Sequence, residues 1–155
     1  VAVWWFIGHA KELGFKRVES GAPASNVDVE ALMEVNAPEG LRQQIVAYEG
    51  YTASFNADLR IPNYVVYELT RFETQGAEPR HDKFMCDTDV EGCPTTDDYK
   101  GSGYDRGHMA PAADMKWSKK AMQESFFLTN ICPQNHSLNS GGWKRGGESA
   151  PMGRP

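Results

Sequence analysis

Between Gln44 and Thr70 the chain alternates short runs of β-branched and aromatic residues with pairs of turn formers. Ile45-Val46-Ala47-Tyr48 is followed by the turn signal Glu49-Gly50 and then by Tyr51-Thr52-Ala53-Ser54-Phe55-Asn56. Pro62-Asn63 precede a third run, Tyr64-Val65-Val66-Tyr67-Glu68-Leu69-Thr70. Three β-rich runs divided by turn residues predict an antiparallel meander. Residues 73–103 lose that pattern. They are acidic and carry Pro79, Pro94, Gly92, Gly101 and Gly103, so they read as a long connection of the kind that often carries function. Trp117-Ser118 opens the next element, with Ser118 as N-cap and Lys119 to Ser125 as helix body. Phe126-Phe127-Leu128-Thr129 reads as a buried strand. Ser137 is placed to cap a last helix from Leu138, which Gly141-Gly142 weakens. Residues 9–41 are irregular or weakly helical, with a short helix over Asp28 to Val35 and a loop at Gly21 to Asn26. The organisation expected is an N-terminal extension over 1–43 and one main domain over 44–155.

Composition adds bounds rather than direction. A chain of 155 residues suffices for one domain with a core, and 40% hydrophobic with 24% charged residues is ordinary for a globular protein. The net charge of −5 argues against a protein that coats nucleic acid by charge alone. The charge is uneven, however. Residues 100–155 hold eight basic and four acidic side chains, a local excess of +4 that leaves −9 for residues 1–99. A local positive field steers polyanions despite an acidic total, although ordinary unevenness of a surface reads the same way.

The cysteines and the N-terminus each leave two readings open. Cys86 and Cys93 either close a short disulfide in an oxidising compartment or remain free thiols, as Cys132 would. Their spacing fits no zinc pattern. Val1-Ala2-Val3-Trp4-Trp5-Phe6-Ile7 is too short to span a bilayer. It is either the remnant of a trimmed signal or anchor segment or a strand packed on the domain. The first alternatives together make an extracytoplasmic location (secreted, periplasmic or envelope-associated) the expectation.

The stretch richest in chemistry is Asp105-Arg106-Gly107-His108. Imidazole titrates near neutral pH and suits a general base. The planar guanidinium of Arg106 grips phosphate, and Gly107 removes side-chain bulk beside the histidine. Mg²⁺ favours oxygen ligands and keeps several waters, so one amide oxygen with water for the rest is a reasonable site. Asn130 and Asn139 both qualify on chemistry alone. Phosphodiester hydrolysis needs this set of base, cation and phosphate grip. A bare turn with a salt bridge is the plainer reading of the same four residues.

Asp105-Arg106-Gly107-His108-Met109-Ala110-Pro111-Ala112 resembles the DRGH signature of the DNA/RNA non-specific endonucleases, a family with the ββα-metal (His-Me finger) active site. Trp117-Ser118, Ala121-Met122 and Glu124-Ser125-Phe126 resemble the family's next segment. Thr129-Asn130-Ile131-Cys132-Pro133-Gln134 resembles its SNxxPQ stretch, with Cys132 where Ser or Thr is usual. Leu138-Asn139-Ser140-Gly141-Gly142-Trp143 resembles LNxGxW. Upstream, Arg60-Ile61-Pro62-Asn63-Tyr64-Val65-Val66-Tyr67 is similar to the strand before the active site, and Arg80, Phe84 and Asp87 are similar to RxxxFxxD. The likeness covers residues 44–145.

The resemblance implies an α+β fold with a mixed, mainly antiparallel sheet. It implies a strand bearing His108, a second strand over Phe126–Thr129 and a helix presenting Asn139. It implies His108 as general base and Asn139 as direct ligand of one Mg²⁺, for which Mn²⁺ can substitute. Arg106 and Arg80 are implied phosphate contacts, and Asn130 an outer residue orienting His108 or water. Asp105 and Gln134 are implied supports. The implied reaction is hydrolysis of DNA and RNA, single- or double-stranded, to 5′-phosphate and 3′-hydroxyl ends, by an enzyme that is often a homodimer. The family also expects a glutamate in a WxxLE context after the metal asparagine. That position here is Gly147, with Glu148 one step on, so a truncated or altered C-terminal part is expected. The rival readings are a binding-only fragment without turnover and a ββα-metal phosphodiesterase acting on other diesters.

Overall fold

The computed structural model describes residues 33–142 and the backbone of residues 2–5. Strands β1 (Ala2–Trp5), β2 (Gln44–Ala47), β3 (Thr52–Asn56) and β4 (Ile61–Tyr67) form one sheet in the order β1-β4-β3-β2, antiparallel throughout. The expected meander is therefore present. The third strand differs in its start, because Pro62 and Asn63 lie inside β4 rather than ahead of it. The register explains how the strand tolerates them. Ser54 pairs Tyr64 and Phe55 pairs Pro62, so Asn63 is the extra residue of a bulge. Its buried amide is satisfied there, donating to Arg42 O at 3.1 Å and to Ser54 Oγ at 3.2 Å. Pro62 stands outside the Tyr64–Tyr67 stretch that β1 pairs with, where a missing N–H costs no ladder bond. The N-terminal run thus contributes a sheet strand.

A second, two-stranded ribbon pairs β5 (Asp105–His108) with β6 (Ile131–Gln134), antiparallel. Between them lies α1 (Lys119–Glu124), capped as expected: Ser118 Oγ accepts from the N–H groups of Lys120 and Ala121. Helix α1 buries Ala121 and Met122. The core joins Tyr51, Ala53, Val65 and Tyr67 of the large sheet to Met109, Met115, Ala121 and Cys132. Burial of that apolar area is the main stabilising term and fixes the ribbon against the sheet.

Two expectations are corrected. Phe126–Thr129 is not a strand. Phe127 makes a single parallel bridge with Met85, and Leu128–Asn130 is a 3₁₀ turn. The partner strand of His108 is Ile131–Gln134 instead, and the buried apolar run reflects packing of Phe126 and Leu128 rather than a ladder. The last helical turn, Leu138–Gly142, is present, but Asn135 caps it rather than Ser137. Asn135 Oδ1 accepts from Ser137 N at 2.9 Å and Asn135 O from Asn139 N at 2.9 Å. Of the two readings open for Cys86 and Cys93, the structure has the free thiols, with Cys93 Sγ accepting from Asp87 N at 3.2 Å. The Gly21–Asn26 loop, most of the Asp28–Val35 helix, and Gly147 with Glu148 lie outside the described residues.

The connection over residues 73–103 is pinned at several points. Tyr48 Oη donates to Asp87 Oδ2 at 2.5 Å. Arg60 forks onto Asp98 at 2.8 and 3.0 Å, while Asp98 and Thr95 form a reciprocal capping box. These ties hold the connection to the large sheet, and Tyr99 Oη, donating to Ile131 O at 3.3 Å, ties it to the ribbon, where its residues form one wall of a cleft.

Candidate active site

The cleft has a volume of about 740 Å³. Arg80, Phe84, Asp105, Arg106 and Asn139 line it together with Lys83, Thr96, Tyr99, Lys100 and Tyr104. Strand β5 brings Asp105 and Arg106 to it, and the Leu138–Gly142 turn brings Asn139. The side-chain N–H of Asn139 donates to Asp105 Oδ2 at 3.1 Å, and His136 Nδ1 lies 2.9 Å from the same oxygen. These two contacts hold the Asp105 carboxyl below its usual range, the Asn139 bond being the larger cause. With its nitrogen committed, Asn139 keeps Oδ1 without a donor among the described residues. No cluster of three or more His, Cys, Asp or Glu among the described residues is placed to hold a metal. The donor set therefore fits a hard cation that keeps most of its waters around one amide oxygen.

His108 sits behind this lining. Its ring meets Phe126 edge-on, with centroids 4.8 Å apart at 82°, and lies 5.5 Å from Phe84. Nε2 is occluded and has no hydrogen-bond partner. Burial pulls the imidazole down to about 3, helped by the nearby positive charge of Arg80. The same two phenyl rings carry the cations. Arg80 lies over Phe126 at 4.9 Å and Arg106 over Phe84 at 4.4 Å. Arg80 also pairs with Asp82 at 2.6 Å, whereas Arg106 has no acidic partner among the described residues.

Asn130 is fully buried and every part of its amide is engaged. Oδ1 accepts from Ala110 N at 2.8 Å, and Nδ2 donates to Ala110 O at 2.9 Å and Ser125 O at 2.8 Å. Its backbone carbonyl accepts from Met109 N at 2.8 Å. It thus fixes the backbone just after His108, and its side-chain hydrogen bonds all go to backbone rather than to the imidazole. Gln134 packs on Gly107, whose missing Cβ would fall 2.0 Å from Gln134 Cδ. The glycine makes room for that side chain rather than for substrate. The sequence reading missed Lys83, Tyr104 and His136. Only the two-residue periodicity of Tyr104, Arg106 and His108 offered a signal for any of them.

A two-stranded antiparallel ribbon carrying a histidine, followed by a helical turn presenting an amide, is the ββα arrangement. The sequence profile of the DNA/RNA non-specific endonucleases matches residues 28–146, and the chain belongs to that family. It is 38% identical over 140 residues to the mitochondrial nuclease EXOG of Xenopus laevis, covering 88% of this chain and 38% of that protein. It is 41% identical over 103 residues to the mitochondrial nuclease EXOG of Homo sapiens, covering 63% of this chain and 27% of that protein. A chain in the crystal structure of the EndoG/EndoGI complex superposes with a TM-score of 0.67 at 26% identity, over 81% of this chain and 53% of that one. This chain spans about a third of the length of these curated relatives. The extracytoplasmic location expected from the sequence is overturned, since these relatives are mitochondrial nucleases. The fold accounts for both cues behind that expectation. The apolar N-terminal run supplies β1, and the cysteines are unpaired. No helix among the described residues is long and apolar enough to cross a membrane.

Proposed function

We propose that the protein is a Mg²⁺-dependent, sugar-non-specific endonuclease that hydrolyses DNA and RNA to 5′-phosphate and 3′-hydroxyl ends. The observation that carries this reading is the Asp105–Asn139 hydrogen bond, which commits the amide nitrogen of Asn139 and leaves its oxygen as the free end of a residue that lines the cleft with Arg106. Asn139 would hold the cation, which when bound supplies charge neutralisation and leaving-group stabilisation at the phosphate. His108, neutral at pH 7, takes the proton of the attacking water, a transfer that its burial makes harder. Nε2 is closed off, so the proton goes to Nδ1. Arg106, without an acidic partner among the described residues, neutralises phosphate charge, and Arg80 contributes the positive field beside His108. Asp105 and Asn130 position these groups, and Gln134 packs the ribbon behind them. Cation, guanidinium and base all address the phosphate, which every nucleotide shares, so sugar and sequence go unread.

The test incubates plasmid DNA and RNA with the protein and Mg²⁺, beside EDTA and His108→Ala controls. Degradation of both polymers, lost in both controls at matched thermal stability, is the expected result. A folded protein that binds DNA but cleaves neither polymer would overturn this reading in favour of a binding-only fragment. Cleavage of a small diester but not of polymers would redirect it to another phosphodiester class.

A further inference from the structure

The cleft holds an aromatic ring that neither catalysis nor packing uses. Tyr104 lines it and is 56% exposed. It directly precedes β5. Within β5, alternate residues share a face, so Arg106 and His108 lie on one side and Asp105 and Gly107 on the other, and Tyr104 lines the same cleft as Arg106 two residues away. The contacts agree. Arg106 and His108 both lie against Phe84, whereas Gly107 backs onto Gln134 and Asp105 onto His136 and Asn139. The cleft therefore offers an aromatic face two residues along the chain from the guanidinium of Arg106, with His108 behind the lining.

The backbone beneath the ring is fixed in advance. Tyr104 N donates to Ser102 Oγ at 3.2 Å, and Ser102 Oγ donates to Tyr99 O at 2.9 Å. Tyr99 Oη is in turn tied to Ile131 O of β6 at 3.3 Å. A ring carried on such a base stacks a ligand at a small ordering cost.

We propose that Tyr104 is a stacking platform for the nucleobase adjoining the phosphate gripped by Arg106, and that the site therefore prefers an unpaired strand to a closed duplex. Bases in a closed duplex stack on one another and offer only edges, whereas a splayed base offers its face. Every base has such a face, so the platform adds affinity without reading sequence. The proposal rests on the nucleic-acid reading of the cleft and deepens it.

The test measures fluorescence anisotropy in EDTA with a labelled single strand, the same strand with abasic sugars, and its closed duplex. Wild-type protein is expected to bind the intact strand about 5- to 100-fold more tightly than the abasic one, the range one stacked base confers. Tyr104→Ala should abolish that ratio and Tyr104→Phe should keep it. The proposal is overturned if the wild type does not distinguish the two strands, if Tyr104→Ala keeps the ratio, or if the duplex binds more tightly than the intact strand. Plasmid cleavage with Mg²⁺, run alongside, separates the two readings. Cleavage without base-dependent binding removes the platform alone, and base-dependent binding without cleavage removes the nuclease reading alone.

Discussion

Asn139 gives its side-chain N–H to Asp105 at 3.1 Å, which fixes which end of the amide is left for the cleft. An amide held this way presents oxygen; an amide free to rotate presents nitrogen half the time. Asp105→Asn is therefore expected to raise the Mg²⁺ concentration needed for cleavage by about 10- to 100-fold, as loss of an outer partner of a metal ligand does. Asn139→Ala should raise it at least as far. A Mg²⁺ titration of the cleavage rate checks both, and an unchanged titration in Asn139→Ala would assign the cation to another ligand.

The environment of His108 sets a pH dependence of definite sign. Its folded-state value, about 3, lies below the ordinary histidine value of 6.5. Between those limits the unfolded chain binds more protons than the folded one, so stability falls as pH drops from about 6.5 toward 3. The slope is at most about 1.4 kcal/mol per pH unit, reduced by the partial exposure of the ring. Above pH 6.5 this group has no effect. Urea unfolding at pH 7 and pH 5 should show the loss, and His108→Gln should remove that share of it. An NMR titration in which His108 protonates near pH 6.5 would contradict the prediction.

Gly107→Ala should destabilise the fold although no catalytic atom changes. Its new Cβ would overlap Gln134 Cγ and Cδ. Overpacking of this kind costs about 1–3 kcal/mol. Gly107→Ala with Gln134→Ala should recover part of the loss, because the overlapping atoms are gone. Thermal melts of the single and double variants decide it, and purely additive losses would mean that the two side chains do not meet.

Arg106 is a cation of the cleft with no acidic partner among the described residues, so its contribution should be electrostatic. Arg106→Gln is expected to flatten the plot of log affinity against log salt by about 0.7–0.9, the value of one phosphate contact. An unchanged slope would remove Arg106 from the phosphate grip.

The sequence showed the elements whose signals are local. Ser118 announced its cap, and the β-rich runs around Gly50 announced the meander. The resemblance brought together His108 and Asn139, thirty-one residues apart, and the fold places both around β5. What stayed hidden depends on tertiary packing. Phe126–Thr129 reads as a strand because apolar runs are buried in either form, and only the pairing of Cys132 with Gly107 shows where the ladder lies. Gly107 reads as room for substrate until Gln134 is seen to fill it. Cys86 and Cys93 read either as a disulfide or as free thiols until Asp87 N is seen to use one thiol as an acceptor.

Asn130 gives the sharpest division between chemistry and support. A residue orienting water would leave stability almost unchanged when truncated, while abolishing turnover. Asn130 instead satisfies one backbone N–H and two backbone carbonyls, all buried. Asn130→Ala leaves those three groups without partners, at about 1–3 kcal/mol for each unsatisfied group. Asn130→Asp keeps the acceptor for Ala110 N but sets a carboxylate against two carbonyl oxygens, so it should be no better tolerated. Both variants are expected to lower the melting temperature strongly, and their residual activity should follow the folded fraction. Thermal melts beside cleavage assays on the same samples distinguish the roles. If Asn130→Ala melts like the wild type yet cannot cleave, its amide acts on water or substrate, and the backbone-fixing role is wrong.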